Sequence, residues 1–100
     1  MTEAQYKEIW GTKIGKQCLN LDKAIARWLG KRLVHLGTHT CSRPLSTVAD
    51  EWNGNLIRHG YALLAYAYDE HDTMEAEQAA CNRAKDAMGF VAEHFGQLWD

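Results

Sequence analysis

His35 and His39 stand four residues apart, and Cys41 follows just beyond them. Imidazole and thiolate both suit zinc, and two histidines at i and i+4 can share one ion where a helix carries both. Gly37, between them, is expected to end the helix. His59 or Cys81 would have to supply a further ligand through the fold. The spacing fits none of the paired zinc signatures. The expectation is a polar helix end running into a loop, with no metal and no cofactor.

Asn55 and His59 form a second candidate pair, again four apart. An imidazole beside a carboxylate, here Asp50, Glu51 or Asp69, can serve as an acid or a base. No nucleophile, metal motif or phosphate-binding loop accompanies the pair. Both therefore read as polar residues near an apolar face that need hydrogen-bond partners. No catalytic residue is expected, and the chain reads as a non-enzyme.

Three surface features remain. Lys23, Arg27 and Lys31 recur at i, i+4 and i+8, joined by Arg32 and Arg43. Such a face could follow phosphates, with binding that falls steeply as salt rises. Against that stand a pI near 6.2, no aromatic residues interleaved on the face and no reading motif. Asp69, Glu70, Asp72, Glu75 and Glu77 form an acidic cluster, suited to a basic protein partner or to capping and solubility. Ten aromatic residues, four of them Trp, are many for so small a core. Those left unburied would anchor an interface, with Tyr61, Tyr68 and Trp99 the candidates.

The elements that must position these residues are helices. The chain of 100 residues is the size of one domain with one core. Its 46% apolar and 24% charged content is that of a globular chain. A single proline, Pro44, and no period-two alternation argue against a β fold. Four helical stretches are expected.

The first covers 2–18, capped by Thr2, with Tyr6, Ile9, Trp10, Ile14 and Cys18 on one face. Gly11 and Gly15 weaken it and would let another backbone approach. The second covers 21–36 between Asn20 as N-cap and Gly37 as terminator, with the stripe Leu21, Ile25, Trp28, Leu29, Leu33 and Leu36. A loop over 37–45 follows. The third covers 46–70, capped by Ser46 or Thr47. It is apolar on two sides and so central, with a kink possible near Gly54. The fourth covers 73–98, started by Asp72 and Glu75, with the stripe Ala76, Ala80, Ala84, Ala87, Val91, Phe95 and Leu98. Short connections favour an antiparallel up-down bundle, one all-α domain over 1–100.

Charge divides at the 37–45 loop. Residues 1–43 carry eight Lys/Arg against three Asp/Glu, and residues 44–100 carry three against ten. Three widely spaced cysteines read as free thiols in a reducing compartment. The polar N-terminal stretch is unlike a targeting signal, and no apolar run is long enough for a membrane span. A cytoplasmic location away from membranes is the expectation.

The runs Leu21-Asp22-Lys23 and Lys31-Arg32-Leu33-Val34, followed by Pro44, Trp52 and Asn55, loosely resemble small phage proteins related to pyrimidine-dimer DNA glycosylases. That family's N-terminal catalytic amine setting is absent, so the resemblance implies no activity here. Size and charge also resemble those of the short, acidic-faced inhibitors that phages use against host defence proteins. The expected function is a non-enzymatic protein-interaction module, an inhibitor or adaptor of that type. It would act on a protein partner or on a second copy of itself. The alternative is a small nucleic-acid-binding or DNA-processing protein using the basic face of the second helix.

Overall fold

The computed structural model of the chain describes residues 1–40, 43 and 49–99. They form five α-helices: α1 (Glu3–Trp10), α2 (Thr12–Gln17), α3 (Leu21–His39), α4 (Ala49–Tyr68) and α5 (Met74–Glu93), with a 3-10 turn over Phe95–Gln97. No strand occurs among the described residues. The fold is all-α, as expected, but several of its helix boundaries and caps differ from the sequence reading.

The first stretch is two helices. Thr2 does cap α1: its hydroxyl accepts from the Gln5 N–H at 3.2 Å, and its own N–H donates to Gln5 Oε1 at 2.8 Å. The helix then breaks at Gly11, which is extended (φ −76°, ψ 159°). Glycine costs a helix about 1 kcal/mol relative to alanine, so the break falls where the helix is weakest. Asn20, expected as an N-cap, makes no capping bond. It adopts the left-handed conformation (φ 53°) that asparagine tolerates better than most residues. Gly37 does not end α3. The helix continues to His39, and Thr40 closes it with its N–H on the Leu36 carbonyl at 2.8 Å. Thr73, not Asp72, caps α5 by accepting from the Ala76 N–H at 3.0 Å. That helix stops at Glu93. The predicted caps Ser46 and Thr47, with Pro44, lie outside the described residues.

Small residues set the packing of α3 on α4. A Cβ on Gly30 would stand 2.9 Å from the Gly60 carbonyl oxygen, and one on Gly37 would stand 2.8 Å from that of Asn53. These glycines and Ala26 form the α3 face that α4 meets almost backbone to backbone. Gly37 is therefore glycine for close approach, not for a turn. Helix α5 also packs on α4, and its row Ala80, Ala84, Ala87 and Val91 is buried. Trp52, Leu56 and Leu63 of α4 fill the space between.

One polar lock joins the start of α3 to the end of α4. The Tyr66 hydroxyl donates a short hydrogen bond to Asp22, and Lys23 Nζ donates to the Tyr66 carbonyl at 2.8 Å. The same ammonium sits 3.5 Å from the Tyr66 ring centre. That hydrogen bond, then the N–H of Lys23, hold the Asp22 carboxyl below its usual 3.8, and the Tyr66 phenol is pushed up to about 12.

The helices form a small all-α bundle, as expected, whose packed body is α3 and α5 each laid against α4. Helices α1 and α2 pack on each other but form an arm with no extended packing on α3–α5, and every residue from Met1 to Trp10 is exposed. The radius of gyration is 15.9 Å, against about 13 Å for a compact chain of this length. The extents, 44 × 42 × 20 Å, are those of a slab. No described helix is long and apolar enough to cross a membrane.

Candidate interaction surface

Helix α3 carries two apolar faces. Ala26, Gly30, Leu33 and Gly37 meet α4. Leu21, Ile25 and Trp28, at i, i+4 and i+7, point elsewhere and stay exposed. Across from them stand Met88 and Val91 of α5, and beyond its end Phe95, Leu98 and Trp99. Both outer helices lean on α4 without closing on each other. Between them lies a trough of about 1170 Å³, with a smaller chamber of about 460 Å³ where Asp22, Tyr66 and Cys81 meet. Trp28, Phe95 and Trp99 are 60%, 77% and 61% exposed. Lys16, Arg27, Arg32 and His35 border the larger chamber, and no described Asp or Glu does.

The basic residues expected to form a free face are largely engaged. Lys23 is held on Tyr66, Lys31 stands 5.4 Å from the Tyr68 ring centre, and Arg32 lies 4.1 Å from that of Trp28. Arg32 also donates to the Trp28 carbonyl at 2.9 Å. Aromatic rings do accompany this face, contrary to the sequence reading, but three of them come from α4 or from the trough edge. A ring under a cation is worth about 0.5–1 kcal/mol at exposed sites. Arg27 stays at the trough rim.

Of the aromatic candidates, Trp99 lines the trough, and its carbonyl accepts from the Thr40 hydroxyl at 3.4 Å. Tyr61 and Tyr68 are exposed on α4 and take no part in the trough lining. Asp69, Glu70, Asp72, Glu75 and Glu77 are all exposed along the α4–α5 connection and the first turn of α5. None of the five is in an ion pair among the described residues.

The structure brings His35 and His39 onto one helix after all. Their rings stack at 4.1 Å, and His39 Nδ1 lies 2.9 Å from the His35 carbonyl oxygen. Cys41 lies outside the described residues, and among those described no group of three His, Cys, Asp or Glu could hold a metal ion.

His59 is buried and stacked on Phe90 at 4.4 Å. Arginine can only donate, so His59 Nε2 accepts from the Arg58 guanidinium at 3.2 Å. The same Arg58 donates to Asn55 Oδ1 at 3.2 Å. Burial first, then the Arg58 charge, lower the His59 pKa below 6.5, while Asp86 works the other way. The carboxylate felt by this imidazole is thus Asp86 of α5, not Asp50, Glu51 or Asp69. Trp52, Phe90 and His94 continue the ring cluster, with His94 edge-on to Trp52 at 5.1 Å. The arrangement is a packed, satisfied histidine.

Sequence reasoning missed the Asp22–Tyr66 lock, whose partners lie 44 residues apart, and for which no local spacing gives a signal. It also missed that Trp28 and Phe95 face outward. A signal was there: the α3 stripe, with Leu21, Ile25 and Trp28 beside Leu29, Leu33 and Leu36, is too wide for one contact.

No protein-family model, curated protein or solved structure matches this chain.

Proposed function

We propose that this protein is a non-enzymatic protein-binding module whose working surface is the trough between α3 and α5. The observation that supports the reading is the exposure of Trp28, Phe95 and Trp99 around one apolar groove. Contiguous exposed apolar surface of this kind, rimmed by charge, marks interaction sites. Aromatic side chains and arginine dominate binding hot spots, and Arg27 and Arg32 stand beside the rings. An amphipathic helix laid in a groove is the recognition mode that fits. The rim cations favour a segment with acidic flanks, in keeping with an inhibitor or adaptor that binds in the cytoplasm.

The test is affinity capture from the source organism with the wild-type chain and with Trp28→Glu/Phe95→Glu. The expected result is a specific protein, another molecule of the chain included, held by the wild type and lost from the variant. Equal recovery by both, or no specific recovery with a monomeric chain, refutes the reading. Salt-dependent binding of DNA or RNA, lost in Arg27→Glu/Arg32→Glu, would instead support the nucleic-acid alternative.

A further inference from the structure

We propose that the protein is a homodimer in which the α1–α2 arm of each copy lies in the trough of the other. This inference rests on the protein-binding reading above and names the partner as a second copy of the chain.

The arm is one half of the argument. Tyr6, Ile9 and Trp10 share one side of α1, and Trp10 is 85% exposed. Isolated helices shorter than about 12–15 residues are marginal in water. At 8 and 6 residues, α1 and α2 need a surface against their apolar side. Their own body does not provide it in this structure. Lys16, Gln17 and Leu19 border the trough, so the arm begins at its edge, and from there it runs outward. The left-handed residue Asn20 stands at the joint.

The trough is the other half. Among the described residues, it offers apolar walls from two helices with no third helix laid over them. Its rim carries Lys16, Arg27 and Arg32 without a described carboxylate, and the arm carries Lys7, Lys13 and Lys16 against Glu3 and Glu8, so the fit rests on apolar area and not on charge.

The area is sufficient. A large aromatic side chain offers roughly 150–250 Å². With the exposures of Trp10, Trp28, Phe95 and Trp99, these four rings present about 600 Å² per copy. Leu19, Ile9 and Tyr6 add to that. A stable interface buries about 800 Å² per partner. In a two-fold pair each copy gives one arm and one trough, so both contacts form at once.

Light scattering on the full chain at about 100 μM, with Trp10→Glu and Trp28→Glu beside it, tests the pairing. The wild type is expected at twice the 11.4 kDa chain mass. Each variant is expected as a monomer, with self-association weakened on the order of 100-fold. Circular dichroism should show that both keep the helices of the α3–α5 body, since neither side chain is in the core, with no more than the short arm helices lost. Mixing the two variants restores one intact arm–trough contact, so heterodimer should appear in the mixture alone. A monomeric wild type overturns the proposal, whether the arm stays free or folds onto its own body. So does a Trp28→Glu variant that remains dimeric, which would mean that arms pair with arms. A monomer that still captures another protein through the trough would sink the dimer while leaving the binding reading intact.

Discussion

Adding a single methyl group at Gly60 tests how closely α3 and α4 approach. A Cβ there would stand 2.7 Å from Val34 Cγ2, 2.9 Å from the Gly30 carbonyl oxygen and 2.9 Å from the Val34 nitrogen. Two of those atoms are backbone, so relief requires the helices to part. Overpacking of this kind costs about 1–3 kcal/mol. Gly54 lies on the same helix, and a Cβ there would meet nothing within 4 Å. Both substitutions to alanine gain the same helix propensity, about 0.8–1 kcal/mol. The difference between Gly60→Ala and Gly54→Ala therefore isolates the contact, at about 2 kcal/mol. For a domain of this size, that corresponds to a gap in Tm of about 8–16 °C. Thermal and urea melts followed by circular dichroism would measure it, with Gly54→Ala above the wild type and Gly60→Ala below. Equal melting temperatures for the two variants would refute the backbone-to-backbone crossing.

Two titrations extend the test to polar contacts. The lowered Asp22 pKa stabilises the fold fully above 3.8, and that stability is lost as pH falls through the folded value. The raised Tyr66 pKa acts at the other end: its stability is present below pH 10 and lost as pH rises through about 12. Tyr66→Phe should therefore lower the urea midpoint at neutral pH and flatten both limbs. A midpoint and profile unchanged from wild type would exclude the lock. His59 is held neutral, so protonation favours the unfolded chain, and stability should fall as pH drops from 6.5 toward the depressed folded pKa. His59→Gln should remove that part of the slope, and an NMR titration placing the His59 pKa above 6.5 would contradict the burial argument.

The sequence reading recovered the helices because long apolar periodicities survive in any helical packing. Trp52, Leu56 and Leu63 recur at helical spacing in the third stretch, and all three are core. The row Ala80, Ala84, Ala87 and Val91 is likewise buried where its spacing placed it. Glycines misled. Gly11 breaks a helix although Tyr6, Ile9, Trp10 and Ile14 keep a helical rhythm across it, and Gly37 sits inside a helix although it resembles a terminator. One residue type serves for weak propensity, for turning and for close approach. Only the facing helix, here Asn53 and Ile57 of α4 against Gly37, shows which applies. The trough was hidden for a related reason. Periodicity reports that a side is apolar but not whether the chain itself supplies a cover, so Leu21, Ile25 and Trp28 read as core.

The placement of the four tryptophans has an optical consequence. Trp52 is sealed in the core, with His94 edge-on to its ring, while Trp10, Trp28 and Trp99 stand in solvent on the arm and the two walls of the trough. Native emission of a lone chain should thus be dominated by indoles already in water, and melting should change its colour little. Loss of secondary structure and loss of fluorescence wavelength would then report different events. With Trp52 as the fixed reference, each remaining indole becomes a separate lamp on one of the surfaces that has no cover of its own.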